Sequence, residues 1–188
     1  MKFIQGGVVA AKGFTASGIH CGIRKNRTKR DLSLIYSEVL ANAAAVYTTN
    51  LVKGAPLIVT KNNIANGKAQ AVICNSGNAN TCNANGIEIA EHTCDLLAKG
   101  LNINAKDVIV ASTGVIGQPL DIEPIKNGIS QLIGELSVNG GENCAEGIMT
   151  TDTIKKEVAV EFMLGDKVCK IGGTTLGYFK IGLPVLFM

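Results

Sequence analysis

The sequence predicts an α/β or α+β fold in which mixed sheets carry helices packed on their outer faces. Three observations predict it. Short apolar and alternating runs fill residues 1–74, two segments between Ile87 and Leu136 switch to steps of three and four, and the chain then returns to strand-like runs. Hydrophobic residues make up 46% of the 188, enough for a sizeable core. Aromatic residues are only 4%, with no Trp, against 22 glycines. Packing therefore falls to Val, Ile, Leu and Ala, joined by many tight turns.

The elements follow in order. Asp31-Leu32-Ser33-Leu34-Ile35-Tyr36-Ser37 begins with alternation, Ala44–Thr49 is compatible with a strand, and Pro56–Thr60 is rich in branched residues. Ala69–Cys74 reads as a buried strand. Ile87, Ala90, Cys94, Leu97 and Leu101 then fall on one face of a helix that packs against a sheet. Residues 108–111 form another buried strand. A second helix places Ile122, Ile125, Ile129, Leu132 and Leu136 on one face, with Asp121 positioned as a cap and Pro124 tolerated in the first turn. Glu157–Phe162 and Lys167–Ile171 read as a hairpin around Gly165-Asp166. No internal repeat or low-complexity linker divides the chain.

Composition narrows the function. Eighteen Lys and Arg against fifteen Asp and Glu leave a net charge of +3, too small to argue for a nucleic-acid partner. Much of that excess lies in Arg24–Arg30, which reads as a solvated loop, with an RNA- or anion-binding patch as the alternative. The six cysteines form no CxxC pair, so metal and redox motifs are unsupported; Cys74 and Cys94 lie in apolar settings as small hydrophobes. Met1–Gly7 lacks a hydrophobic signal segment, and no apolar run is long enough to span a membrane. A cytoplasmic location is expected.

Three segments carry candidate chemistry. In Val108-Ile109-Val110-Ala111-Ser112-Thr113-Gly114 a strand delivers a hydroxyl and a glycine N–H side by side, as an oxyanion hole requires. A capped strand-to-helix turn would use the same residues. Cys74-Asn75-Ser76-Gly77-Asn78-Ala79-Asn80 offers amides and left-handed backbone for an anion or carbonyl, but these are also ordinary residues of a self-satisfied loop. Met149-Thr150-Thr151-Asp152-Thr153 could orient a polar substrate or simply end a helix and start a strand. Neither of the two histidines, His20 and His92, lies near a nucleophile motif, so a Ser-His-Asp or Cys-His mechanism has no foothold. Phosphate-binding glycine motifs are also missing.

Taken together, the motifs resemble one family. Gly6-Gly7-Val8, Lys12-Gly13-Phe14, Asp31–Leu34, Ala45–Asn50, Asn75–Asn80, Ala111–Gly117, Met149–Thr153 and Ile171-Gly172-Gly173 occur in the order and spacing of the ornithine acetyltransferases, the ArgJ family. The resemblance implies an αββα sandwich and acetyl transfer from N-acetylornithine to glutamate in arginine biosynthesis, with acetyl-CoA an additional substrate in some members and no cofactor. It also implies a precursor that cleaves itself before a threonine. The chain then corresponds to the α chain, and a β chain supplies the N-terminal threonine nucleophile within an α2β2 heterotetramer. Thr113 and Gly114 would form the oxyanion hole and Thr150 would contact substrate.

The resemblance gives an α-chain domain over 1–175 and a divergent tail over 176–188. Where the family continues with Lys-Gly-Ser-Gly-Met, this chain reads Thr174-Thr175-Leu176-Gly177-Tyr178; Leu176 occupies the expected position of a substrate-binding lysine, and Phe187 stands near that of the nucleophile. Two other readings stay open, a non-catalytic paralogue that binds acetylated amino acids and a self-processing amidase or peptidase. Without its partner the chain is expected to expose open strand edges.

Overall fold

The computed structural model describes residues 1–25, 28–175 and the backbone of 184–187. A four-stranded sheet forms the centre, in the order β2-β3-β4-β5, from Phe14–Ile19, Leu32–Asn42, Lys68–Asn78 and Val108–Val115. β2, β3 and β4 pair antiparallel, while β4 and β5 run parallel. A parallel pair requires a crossover, which is supplied by α2, Gly86–Leu101. The second sheet has the order β1-β6-β7-β8, from Lys2–Phe3, Glu157–Leu164, Lys167–Thr175 and Pro184–Phe187. The mixed fold class follows directly.

Alternation sorts the central strands into two faces. Ile19, Leu32, Leu34, Ile73, Val108 and Val110 meet Leu97 of α2 and Ile125, Ile129 and Leu132 of α3, Glu123–Gly134, while Val59 joins from α1, Ala55–Asn63. Phe14, Ala16, Ile35 and Val72 face the other way, toward Val8 and Cys144. Cys144 belongs to α4, Gly141–Ile148. This helix and the 3-10 turn Gly7–Val9 fill the space toward the second sheet.

Two elements differ from expectation. Pro56–Thr60 lies in α1 rather than a strand, with proline in the first turn, where its missing N–H costs nothing. Ala44–Thr49 has no regular structure. In α2, Ile89 is buried and Ile87 is 45% exposed, so the buried stripe is rotated from the one expected. The later elements match: Asp121 accepts the Glu123 N–H at 3.0 Å, and Leu164 pairs with Lys167 across Gly165-Asp166, where Gly165 takes φ +62°.

Each edge of the central sheet is covered along part of its length. On β2, Ala16 and Ser137 exchange backbone hydrogen bonds at 3.0 Å. On β5, the Thr60 hydroxyl donates to Val110 O at 2.8 Å and accepts from Val110 N at 3.1 Å, and Asn63 Nδ2 donates to Val108 O at 2.9 Å. α1 thus covers an edge that would otherwise invite pairing. Apart from the β8 backbone, which pairs with β7, the tail over 176–188, including Leu176, lies outside the described residues.

Candidate functional site

The site lies at the carboxyl ends of β4 and β5, where parallel strands present their final residues beside the loops leading to helices. β5 continues through Ser112, Thr113 and Gly114, so the hydroxyl and the glycine belong to the strand rather than to a capped turn. Thr113 pairs with Ser76 of β4, and Gly114 with Gly77. Gly114 is required by sterics. Its φ is +133°, and a Cβ would come within 2.3 Å of the Gly77 carbonyl carbon and 2.5 Å of Asn78 N, backbone atoms that cannot give way. Gly77 is constrained in turn, because a Cβ there would lie 2.7 Å from Cγ of Arg24. Thr113 is half-buried and Gly114 exposed, so both sit at the sheet's rim.

Arg24 connects this rim to Thr150. Its guanidinium donates from Nη1 to Met149 O at 2.8 Å and from Nη2 to Thr150 O at 3.1 Å. The Arg24 backbone is anchored on Asp31, a fully buried carboxylate that also accepts from Cys21 N at 2.7 Å and Gly22 N at 3.2 Å and lies 3.0 Å from His20 Nδ1. Arg30 donates from Nε to Gly18 O at 2.9 Å and pairs with Glu146 of α4 at 2.6 Å. These two arginines of the basic run are therefore structural ties rather than part of a solvated loop. An acid directly after a basic run, at the head of a buried strand, was the available signal for such a turn.

The Asn75–Asn80 segment takes the self-satisfied reading. Asn75 accepts from Ser112 Oγ at 2.6 Å and donates to Asn78 O at 2.9 Å. Asn78 Nδ2 donates to Gln118 O at 3.1 Å and Pro119 O at 3.2 Å, while Asn78 Oδ1 accepts from Asn80 N at 2.8 Å. Asn80 donates to Gly86 O at 2.8 Å. The amides hold the ends of the two strands and the start of α2 in place. Beyond them, a cavity of about 560 Å³ between Leu51–Ile58 and the start of α2 is lined by none of Thr113, Gly114 or Thr150.

At the third segment, α4 ends at Ile148 and Met149 is already extended. Thr150 is half-buried, and its N–H faces Asp152 Oδ2 at 3.5 Å. The Asp152 carboxylate is buried and paired with Lys156, which lowers its pKa below the ordinary aspartate value through the hydrogen bond to that ammonium. The exposed His92 lies on α2, and it takes no part in the contacts that tie these segments together. Among the described residues no cluster of metal-ligating side chains forms, and no helix is long and apolar enough to cross a membrane.

The ArgJ family profile matches residues 15–180. The chain belongs to the ArgJ family. It is 47% identical over 178 residues to the arginine biosynthesis bifunctional protein ArgJ of Caldanaerobacter subterraneus subsp. tengcongensis and 46% identical over 178 residues to that of Gloeobacter violaceus. Each match covers 94% of this chain but only 44% of the relative, so the chain spans less than half their length. The crystal structure of ArgJ from Bacillus halodurans superposes with a TM-score of 0.89 at 39% identity, covering 99% of this chain and 97% of that one. Ornithine acetyltransferase from Mycobacterium tuberculosis, solved in complex with ornithine, gives a TM-score of 0.85 at 32% identity, with 99% of both chains covered.

Proposed function

We propose that this chain is the α-chain portion of an acyltransferase that moves an acetyl group from N-acetylornithine to glutamate. One observation carries the reading: Thr113 and Gly114 are fixed at a strand end against Gly77, and Arg24 ties that same point to Thr150. The partner is a β chain whose N-terminal threonine is the nucleophile, in an α2β2 assembly. Two features of the relatives support it. Curated family members are more than twice as long as the matched region, while the two solved chains are matched almost end to end. The setting proposed is the cytosol, although a rice relative carries a chloroplastic name.

The chemistry balances without a histidine. The β-chain threonine hydroxyl attacks the acetyl carbonyl and passes its proton to its own α-amine. The oxyanion forms between Thr113 Oγ–H and Gly114 N–H. Collapse breaks the C–N bond and the amine of ornithine leaves carrying the proton; the amine of glutamate then attacks the threonine ester, the acyl C–O bond breaks, and the proton lost by that amine returns through the α-amine to the threonine oxygen. Thr150 would contact the amino-acid substrate, and acetyl-CoA would be a second acetyl donor.

The test is co-expression of this chain with the part of the Caldanaerobacter relative that it does not span, followed by assay of N-acetylglutamate. Transfer should appear, and Thr113→Ala should lower kcat about 10²–10³-fold, the loss typical of one oxyanion donor. Free acetate as the product would turn the reading toward an amidase. Leu176, in place of the family's lysine, favours one further reading, a paralogue that binds acetylated amino acids without turnover. N-acetylornithine binding with no transfer would establish that one.

A further inference from the structure

We propose that Ser76 positions Thr113, its hydroxyl donating to Thr113 Oγ as that hydroxyl turns its own hydrogen toward the developing oxyanion. The inference rests on the oxyanion role proposed for Thr113. Ser76 and Thr113 are register partners across the parallel β4–β5 pair, so both side chains leave the same face of the sheet. Ser76 is 0% exposed, and its Oγ has no hydrogen-bond partner among the described residues. The surrounding polar groups make that absence informative. The side chains of Asn75, Asn78 and Asn80 are each committed to bonds, and the Ser76 backbone is held by its N–H to Asp31 O at 2.9 Å.

A buried hydroxyl is costly to leave unpaired, so one kept beside a reacting group calls for an explanation. Threonine has one hydrogen and two lone pairs. When Thr113 gives its hydrogen to the oxyanion, its oxygen is left able to accept, and Ser76 carries an uncommitted hydrogen on the same face of the sheet. Donation into Thr113 Oγ polarises the Thr113 O–H and strengthens its bond to the oxyanion, as in any chain of hydroxyls in a low-dielectric setting. No covalent bond changes in this step. Ser76 touches neither substrate nor nucleophile and acts only through Thr113.

The experiment uses the co-expressed two-chain complex. Ser76→Ala should lower kcat about 10-fold, leave KM for N-acetylornithine within about twofold, and leave the melting temperature at or above that of the parent, because the hydroxyl has no partner in the resting fold. The double variant Ser76→Ala/Thr113→Ala should be no slower than Thr113→Ala alone, since Ser76 has nothing left to act on. Unchanged kcat in Ser76→Ala, a matching loss of stability, or a full 10-fold addition on top of Thr113→Ala would overturn the assignment. A parent complex with no acetyl transfer would instead remove the oxyanion reading, and this assignment with it.

Discussion

The central sheet and the second sheet each have four strands, yet they are buried differently. From Leu32 to Ile35, four consecutive residues of β3 are buried, because α1–α3 cover one face and α4 the other. In the hairpin of β6 and β7, Ala159 is buried while Val158, Met163, Leu164 and Val168 stand exposed. Charge supports this second sheet where packing does not. Glu161 pairs with Lys2 at 2.9 Å and lies 3.8 Å from Lys170. Burial pushes the thiol of Cys74, in the central sheet, up to about 12. Among the described residues that two-sided cover belongs to the first sheet, where Thr113 and Gly114 lie at a strand end, while Thr150 follows α4.

The largest effect should come from the covered side. Leu132→Ala empties a site that is 0% exposed between α3 and the sheet, and should cost about 2–5 kcal/mol. Val168→Thr, on a residue that is 60% exposed, should stay within about 0.5 kcal/mol. Urea denaturation of the two variants measures the contrast. Equal losses would mean that the second sheet is packed by something the exposed side chains do not reveal.

Next comes the edge. Thr60→Val keeps the shape of the side chain but removes both hydrogen bonds to Val110, leaving a buried N–H and C=O unpaired. A loss of about 1–3 kcal/mol is expected. Hydrogen exchange should rise at the amide of Val110 while that of Ile73, inside the sheet, stays slow. If both amides exchange faster, the edge is not a separate unit and the cover from α1 supports the whole sheet.

This edge also shows how far the sequence was legible. Period separated the strands from α2 and α3, and Gly165-Asp166 marked its hairpin, because those signals are local. Pro56–Thr60 misled because its branched residues suit a strand. Its helical state follows from docking on the edge of β5, a partner fifty residues further along. The site divides in the same way. Thr113-Gly114 was visible as a hydroxyl and a glycine after a strand, and the family pattern gave Thr150. Arg24 was read as part of a solvated loop, because nothing nearby in sequence shows that its guanidinium reaches the carbonyls of Met149 and Thr150. The need for glycine at 114 depends on the backbone of Gly77, which only the parallel pairing brings close.

The smallest effect lies in the connection from α4 into β6, where Asp152 pairs with Lys156 just before the strand, and Lys156 O accepts from Thr174 Oγ1 at 3.0 Å and Thr175 N at 3.2 Å. The hydrogen bond from Lys156 holds the Asp152 carboxyl below its ordinary value. Its contribution is therefore complete above the unfolded aspartate pKa, near 3.9, and is lost as pH falls through the lower folded value. Asp152→Asn should cost about 1 kcal/mol at pH 7, and the difference from the parent should shrink as pH drops below about 4. Denaturation midpoints at pH 7, 5 and 3 measure it. A gap that stays constant to pH 3 would show that the buried carboxylate is not what holds this connection, and would move that role to the backbone bonds at Lys156 O.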